Sequence, residues 1–126
     1  MKRGFNCYLL LLITIVFASC HDCKEDVRLK QKIEGKIEII QQRFDYGNGK
    51  DTNYISADDM FESMGYLGLL TGYIASNPLN YRQTYTDTMS LYTDFKIWRD
   101  WYEENKCGLT LEEADSIVHY QGSLLE

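Results

Sequence analysis

The chain of 126 residues has little histidine and fewer basic than acidic side chains. Its two histidines, His21 and His119, lie in no recognisable catalytic motif, and no serine or cysteine has the surroundings of a nucleophile. The excess of acid, 19 acidic against 13 basic residues, repels nucleic-acid phosphates and anionic lipids. We therefore expect neither an enzyme nor a nucleic-acid-binding protein, and the sequence indicates no cofactor and no small-molecule ligand.

Metal-binding patterns are also lacking. A calcium loop starting at Asp51 fails because Ile55 stands at its fifth position and Ser56 at its sixth, where glycine is needed. The cysteines and histidines do not follow zinc-site spacing. We predict no metal site.

The longest hydrophobic run covers only 8–17 and is interrupted by Thr14. A membrane-spanning helix needs about 20 apolar residues, so this run is too short to cross a bilayer. It follows the basic residues Lys2 and Arg3 and leads to the small residues Ala18 and Ser19. A positive start, an apolar run and small residues in that order are typical of an export signal, which we expect to be cleaved.

Ala18 and Ser19, directly before Cys20, resemble the lipobox of bacterial lipoproteins. The resemblance implies that the Cys20 thiol is diacylated, with fatty acids such as palmitate, and that the chain is cut just before it. Two or more acyl chains anchor a protein stably, whereas one holds it only marginally. Cys20 would then be the lipidated first residue of the mature protein.

The residues after Cys20 are partly acidic, namely Asp22, Glu25 and Asp26. This composition resembles the surface-export signal of Bacteroidetes lipoproteins, although Cys23 and Lys24 interrupt the acidic run. The resemblance implies a cell-envelope protein, lipid-anchored in the outer membrane on its periplasmic or surface face.

Cleavage would remove 19 of the 126 residues and leave 107, a usual size for one domain. Lys2 and Arg3 leave with the signal, so 11 basic residues face 19 acidic ones and the formal charge is −8. We divide the chain into a signal peptide at 1–19, a lipidated cysteine and tether at 20–26, and one helical domain at 27–126. The acidic charge favours a basic protein partner.

Two cysteines remain once Cys7 is lost with the signal and Cys20 is acylated. Cys23 and Cys107 can oxidise to a disulfide outside the cytoplasm. Alternatively, Cys23 lies in a flexible tether and stays free. The sequence leaves both arrangements open.

Apolar residues recur at helical spacing, which predicts an all-α domain of three to four helices. The predicted helices cover 26–44, 57–71, 88–106 and 111–119, with capping residues at Ser56 and Thr110. We expect the third, rich in aromatic residues, to be the central helix. Residues 73–87, which include the only proline, Pro78, are predicted to be an ordered irregular connection.

Nine of the ten tyrosines remain after cleavage. Tyrosine is enriched at protein interfaces because it buries a large ring while keeping a polar tip. We expect Tyr66, Tyr92 and Tyr102, which lie on predicted helices, to cover the core. Tyr81 and Tyr85, in the connection, are the predicted interface residues.

The segment from Trp98 to Lys106 resembles a W-x-x-W-Y-x-x-N-K stretch found near the end of many small helical bacterial proteins, some of them lipoproteins. A minority of those proteins look like immunity proteins, which neutralise a toxin from a competing cell. We therefore expect a non-catalytic, membrane-anchored protein-binding domain, concretely an immunity protein. The alternative is an accessory lipoprotein of a secretion, conjugation or uptake complex.

Overall fold

The computed structural model describes residues 23–75 and 85–126, and these form four α-helices and no strand, which confirms the all-α prediction. The helices are α1, Val27–Gly47; α2, Ala57–Thr71; α3, Thr88–Asn105; and α4, Leu111–Ser123. The signal peptide, Cys20 and Tyr81 lie outside the described residues.

Each helix begins after a side chain that accepts a hydrogen bond from its first turn. The capping residues are Asp26, Ser56, Asp87 and Thr110. Thr110 and Glu113 form both halves of the capping box, as predicted. Ser56 accepts from the Asp59 amide, but its hydroxyl also bonds the Asp59 carboxylate. These local bonds fix the helix starts that the sequence indicates.

Apolar faces of the four helices meet in one core. The predicted stripe of α1 is buried, with no member more than 5% exposed: Leu29, Ile33, Ile37, Ile40 and Phe44. Helix α2 runs antiparallel to α1, because Lys36 pairs with Glu62 at 2.7 Å and Arg43 bonds the Ile55 carbonyl at 3.0 Å. Gly72 ends α2 in the left-handed conformation, with a φ of 73° that glycine adopts without strain.

Helix α3 is not the central helix that the sequence predicts. It packs against α1 and α2, whereas α2 packs against all three other described helices. The aromatic residues of α3 do enter the core, since Trp98 is fully buried and Phe95 is 2% exposed. Rings of this size fill the space between helices, so the α3 backbone stays at the side of the α1–α2 pair.

The predicted tether is wrong from residue 23 onward, because 23–26 belong to the folded body. A disulfide joins Cys23 to Cys107, 84 residues away. The Tyr102 hydroxyl donates to the Glu25 carboxylate. Asp26 accepts from the Leu111 amide at 3.0 Å and also pairs with Arg28 at 2.9 Å. The start of α1 is thus bound to the end of α3 and the start of α4.

Replacing both bridging cysteines, in a Cys23→Ser/Cys107→Ser variant, should lower the free energy of unfolding by about 4 kcal/mol on the chain-entropy estimate. The reason is that the bond restricts a long loop in the unfolded chain. Urea denaturation followed by circular dichroism measures the change, and reduction of the wild-type protein is the matched control. A midpoint unaffected by both treatments would contradict the prediction.

The Asp26 contacts should make stability sensitive to acid. Hydrogen bonds from Arg28, and then from the Leu111 amide, hold the pKa of the Asp26 carboxyl well below its ordinary value of 3.8. A carboxyl whose pKa is lowered by folding stabilises the protein at pH values above its ordinary pKa. This stabilisation is lost progressively as the pH falls from the ordinary pKa towards the folded-state pKa. The wild-type urea midpoint should therefore exceed that of Asp26→Asn at pH 7, and the difference should shrink by pH 3. A difference that is equal at both pH values would contradict this assignment.

Candidate binding surfaces

Tyr85, a predicted interface residue, is instead part of the core, with 1% of its surface exposed. Its hydroxyl donates to Asp94 Oδ2 at 2.7 Å, and the Tyr73 hydroxyl donates to Asp94 Oδ1 at 2.7 Å. Burial, followed by the bond to Asp94, raises the pKa of Tyr85. The interface prediction was wrong because the fully buried Asp94 gives the tyrosine tip a partner inside the protein.

Two of the three tyrosines predicted to cover the core are buried as expected. Tyr66 is 9% exposed and Tyr102 is 4% exposed. The Tyr66 hydroxyl donates to Asp115 at 2.9 Å, which links α2 to α4. Tyr92 is 55% exposed, so its prediction was wrong: it follows the buried Leu91, and its ring meets the Phe95 ring edge to face with centroids 6.1 Å apart.

One end of the bundle presents exposed tyrosine next to acids that form no ion pair with other described residues. We call it the acidic end and define it by Asp45, Tyr46, Asp51, Tyr54, Asp58 and Asp59. The rings of Tyr46 and Tyr54 meet edge to face at 5.3 Å, and Tyr54 is 67% exposed. Gly49, with a φ of 72°, lies in the turn after α1, between Tyr46 and Tyr54 in the sequence. Aromatic side chains held in a fixed orientation suit protein recognition because little entropy is lost on binding.

The acids of the acidic end form no ion pair within the described residues. Elsewhere, ion pairs join α1 to its neighbours through Arg28 and Glu112, Lys32 and Asp115, and Glu34 and Arg99. Those pairs cancel charge on the sides of the bundle. Arg43 and Lys50 are the basic residues near the acidic end, so its acids are only partly balanced there. The sequence analysis did not predict this surface, because its acids and rings come from the end of α1, the loop after it and the start of α2, which only the fold brings together.

A second surface is an apolar groove of about 810 Å³ between α2 and α4. We name it the apolar groove; its lining includes Met64, Gly68 and Leu69 of α2, Ile117 and Gln121 of α4, and Leu125. None of the described residues that line it is charged.

The rim of the apolar groove is exposed to solvent. Ile74 is 83% exposed, Leu125 is 79% exposed and Leu124 is 62% exposed. The sequence analysis missed this surface because Leu124 and Leu125 follow the predicted end of the last helix at 119. Helix α4 continues to Ser123 and brings them beside α2. The pair of leucines after an amphipathic helix was the available signal.

Of the histidines and cysteines of the predicted mature chain, His119, Cys23 and Cys107 lie within the described ranges. His119 is exposed on α4. The described residues contain no cluster of three potential metal ligands, and Cys23 and Cys107 are bonded to each other. Among the described helices, none is long and apolar enough to span a bilayer.

Comparison with known proteins does not assign the chain to a group: no protein-family model, no curated protein and no solved structure matches it. Any function must therefore be argued from the two surfaces.

Asp94→Asn should destabilise the fold by about 1 to 3 kcal/mol, because an amide offers one acceptor oxygen where two tyrosine hydroxyls now donate. The matched control is Asp100→Asn on the same helix, where an exposed carboxylate pairs with Lys96 and should contribute less than about 1 kcal/mol. Chemical denaturation of both variants measures the difference. Equal midpoints for the two variants would contradict the structural role of Asp94.

Proposed function

We propose that this protein is a lipid-anchored, non-catalytic binding domain of the bacterial envelope that captures a basic protein with its acidic end. The acidic end carries the proposal, because exposed tyrosine rings lie there with carboxylates that form no ion pair in the described part of the chain. The lipobox resemblance at Cys20 supports the anchor. The formal charge of −8 in the proposed mature chain favours a positively charged partner.

The position of the acidic end suits capture of a partner away from the anchor. Tyr54 and Asp51 follow the C-terminal end of α1, whereas Cys23 precedes its N-terminal end. A helix of 21 residues is about 31 Å long, so the two ends are separated by the length of the bundle. A protein docked at the acidic end therefore has room beside a body anchored at Cys20.

The chemistry of the acidic end fits a partner held by charge and aromatic contact. Complementary charge accelerates association and selects the partner, and buried tyrosine supplies affinity. An immunity protein that neutralises a basic toxin is the most concrete form of this function. In an accessory lipoprotein of an envelope complex, the same surface would bind a fixed component of that complex.

The first experiment is affinity capture from the native organism in mild detergent, with wild type and Cys20→Ala compared by mass spectrometry. The immunity function predicts a single stoichiometric basic partner. Recovery of a multi-protein envelope complex, lost with Cys20→Ala, would identify an accessory lipoprotein instead. Incorporation of a palmitate analogue into wild type and not into Cys20→Ala tests the anchor separately.

The second experiment tests the surface with the captured partner. Tyr54→Ala should weaken binding about tenfold, as expected for truncation of an interface tyrosine. Asp51→Asn/Asp58→Asn should slow association and reduce its dependence on salt. The matched control is Glu104→Gln/Glu126→Gln, which removes the same charge outside the acidic end. Equal effects of the two double variants would show that net charge, and not the acidic end, attracts the partner.

A further inference from the structure

We infer that the apolar groove is a membrane-seating surface, which rests on the phospholipid leaflet that holds the acyl chains. This inference deepens the proposed function and depends on the lipid anchor at Cys20. The occupant is the lipid surface itself, and the argument follows from where the chain before Cys23 is fixed.

The distance between the anchor and the folded body is short. Cys23 is bonded to Cys107, so the body begins at residue 23. Only His21 and Asp22 separate Cys20 from Cys23, and three residue steps reach about 10 Å at most. A body held this closely must present the surfaces near Cys23 to the lipid.

The apolar groove lies at the same end of the bundle as Cys23. The contacts of Lys36 with Glu62 and of Arg43 with Ile55 set the antiparallel register of α1 and α2. In this antiparallel pairing, each step towards the start of α1 corresponds to a step towards the end of α2. Gly72, which lines the groove, therefore lies level with Asp26. Residue 26 is three positions after Cys23.

Helix α4 gives an independent measure of the same proximity. The Leu111 amide at its start bonds Asp26, and Ile117 lies six residues further, about 9 Å along the helix axis. Ile117 lines the apolar groove and also a smaller concavity that contains Gly108, the residue after Cys107. The disulfide and the groove are thus neighbours.

The composition of the groove suits lipid. Within 23–75 and 85–126, the residues that line it carry no charge, although a quarter of the chain is charged. The acids of the intervening concavity are already engaged: Glu112 pairs with Arg28 at 2.7 Å, and Glu113 closes the capping box of α4. Tyr120, 62% exposed on α4, has the amphipathic form of residues at a membrane interface. An acidic protein is not drawn to lipid by its charge, so apolar contact is the available attraction.

The test places a fluorophore in the groove of the lipidated protein reconstituted in phosphatidylcholine vesicles. A label at Gln121→Cys should be quenched by nitroxides on the lipid acyl chains about twice as strongly as a label at Asn53→Cys near the acidic end, since seated apolar faces lie roughly 5–10 Å deep. Replacing Ile74, Leu124 and Leu125 by Gln should abolish the excess quenching while the protein still floats with the vesicles. These side chains are exposed, so the triple variant should fold.

Three other outcomes would overturn the inference, each for a separate reason. Equal quenching at both positions, with the protein floating, would leave the anchor intact and reject the seating. A label at residue 121 that is shielded from aqueous iodide but not reached by lipid nitroxide would show that a second copy or another protein covers the groove. A preparation without acyl groups would reject the anchor itself.

Discussion

The structure depends on the junction between α1 and α4 that the Asp26 carboxylate makes. This carboxylate caps α1, pairs with Arg28 and accepts the first amide of α4, so a single side chain sets where one helix begins and where another is attached. The adjacent disulfide closes the same junction covalently. Because both lie just before α1, the folded body starts almost at the proposed lipid attachment site.

Because the chain is bound to the bundle from Cys23 onward, the two ends of the bundle differ. The end near Cys23 carries the apolar groove, and the opposite end carries acids that form no ion pair in the described part of the chain, together with the Tyr46 and Tyr54 rings. Ion pairs such as that of Glu34 with Arg99 neutralise the sides between them. This distribution suits a protein that contacts lipid with one end and a partner with the other, as we propose.

Burial of Asp94 shows how a polar group decides which rings reach solvent. Two tyrosine hydroxyls satisfy its carboxylate inside the core, and this removes Tyr85 from the surface where its loop position suggested an interface. Tyr92, on the same helix as Asp94, has no such inward partner in the described residues and stays exposed. Whether a tyrosine is buried or exposed thus depends on whether its hydroxyl has a hydrogen-bond acceptor inside the core. The residues next to it in the sequence do not reveal that acceptor.

The sequence by itself determined the helices, since spacing of Leu29, Ile33 and Ile37 and the caps at Ser56 and Thr110 are local features. Only the tertiary structure decided that Cys23 joins Cys107, that α3 lies at the side of the α1–α2 pair, and that Leu124 reaches α2. The physical reason is that periodicity and capping act within a few residues, whereas these contacts join residues far apart in the sequence. They depend on how the helices pack around large aromatic rings. The two proposed surfaces belong to the second kind.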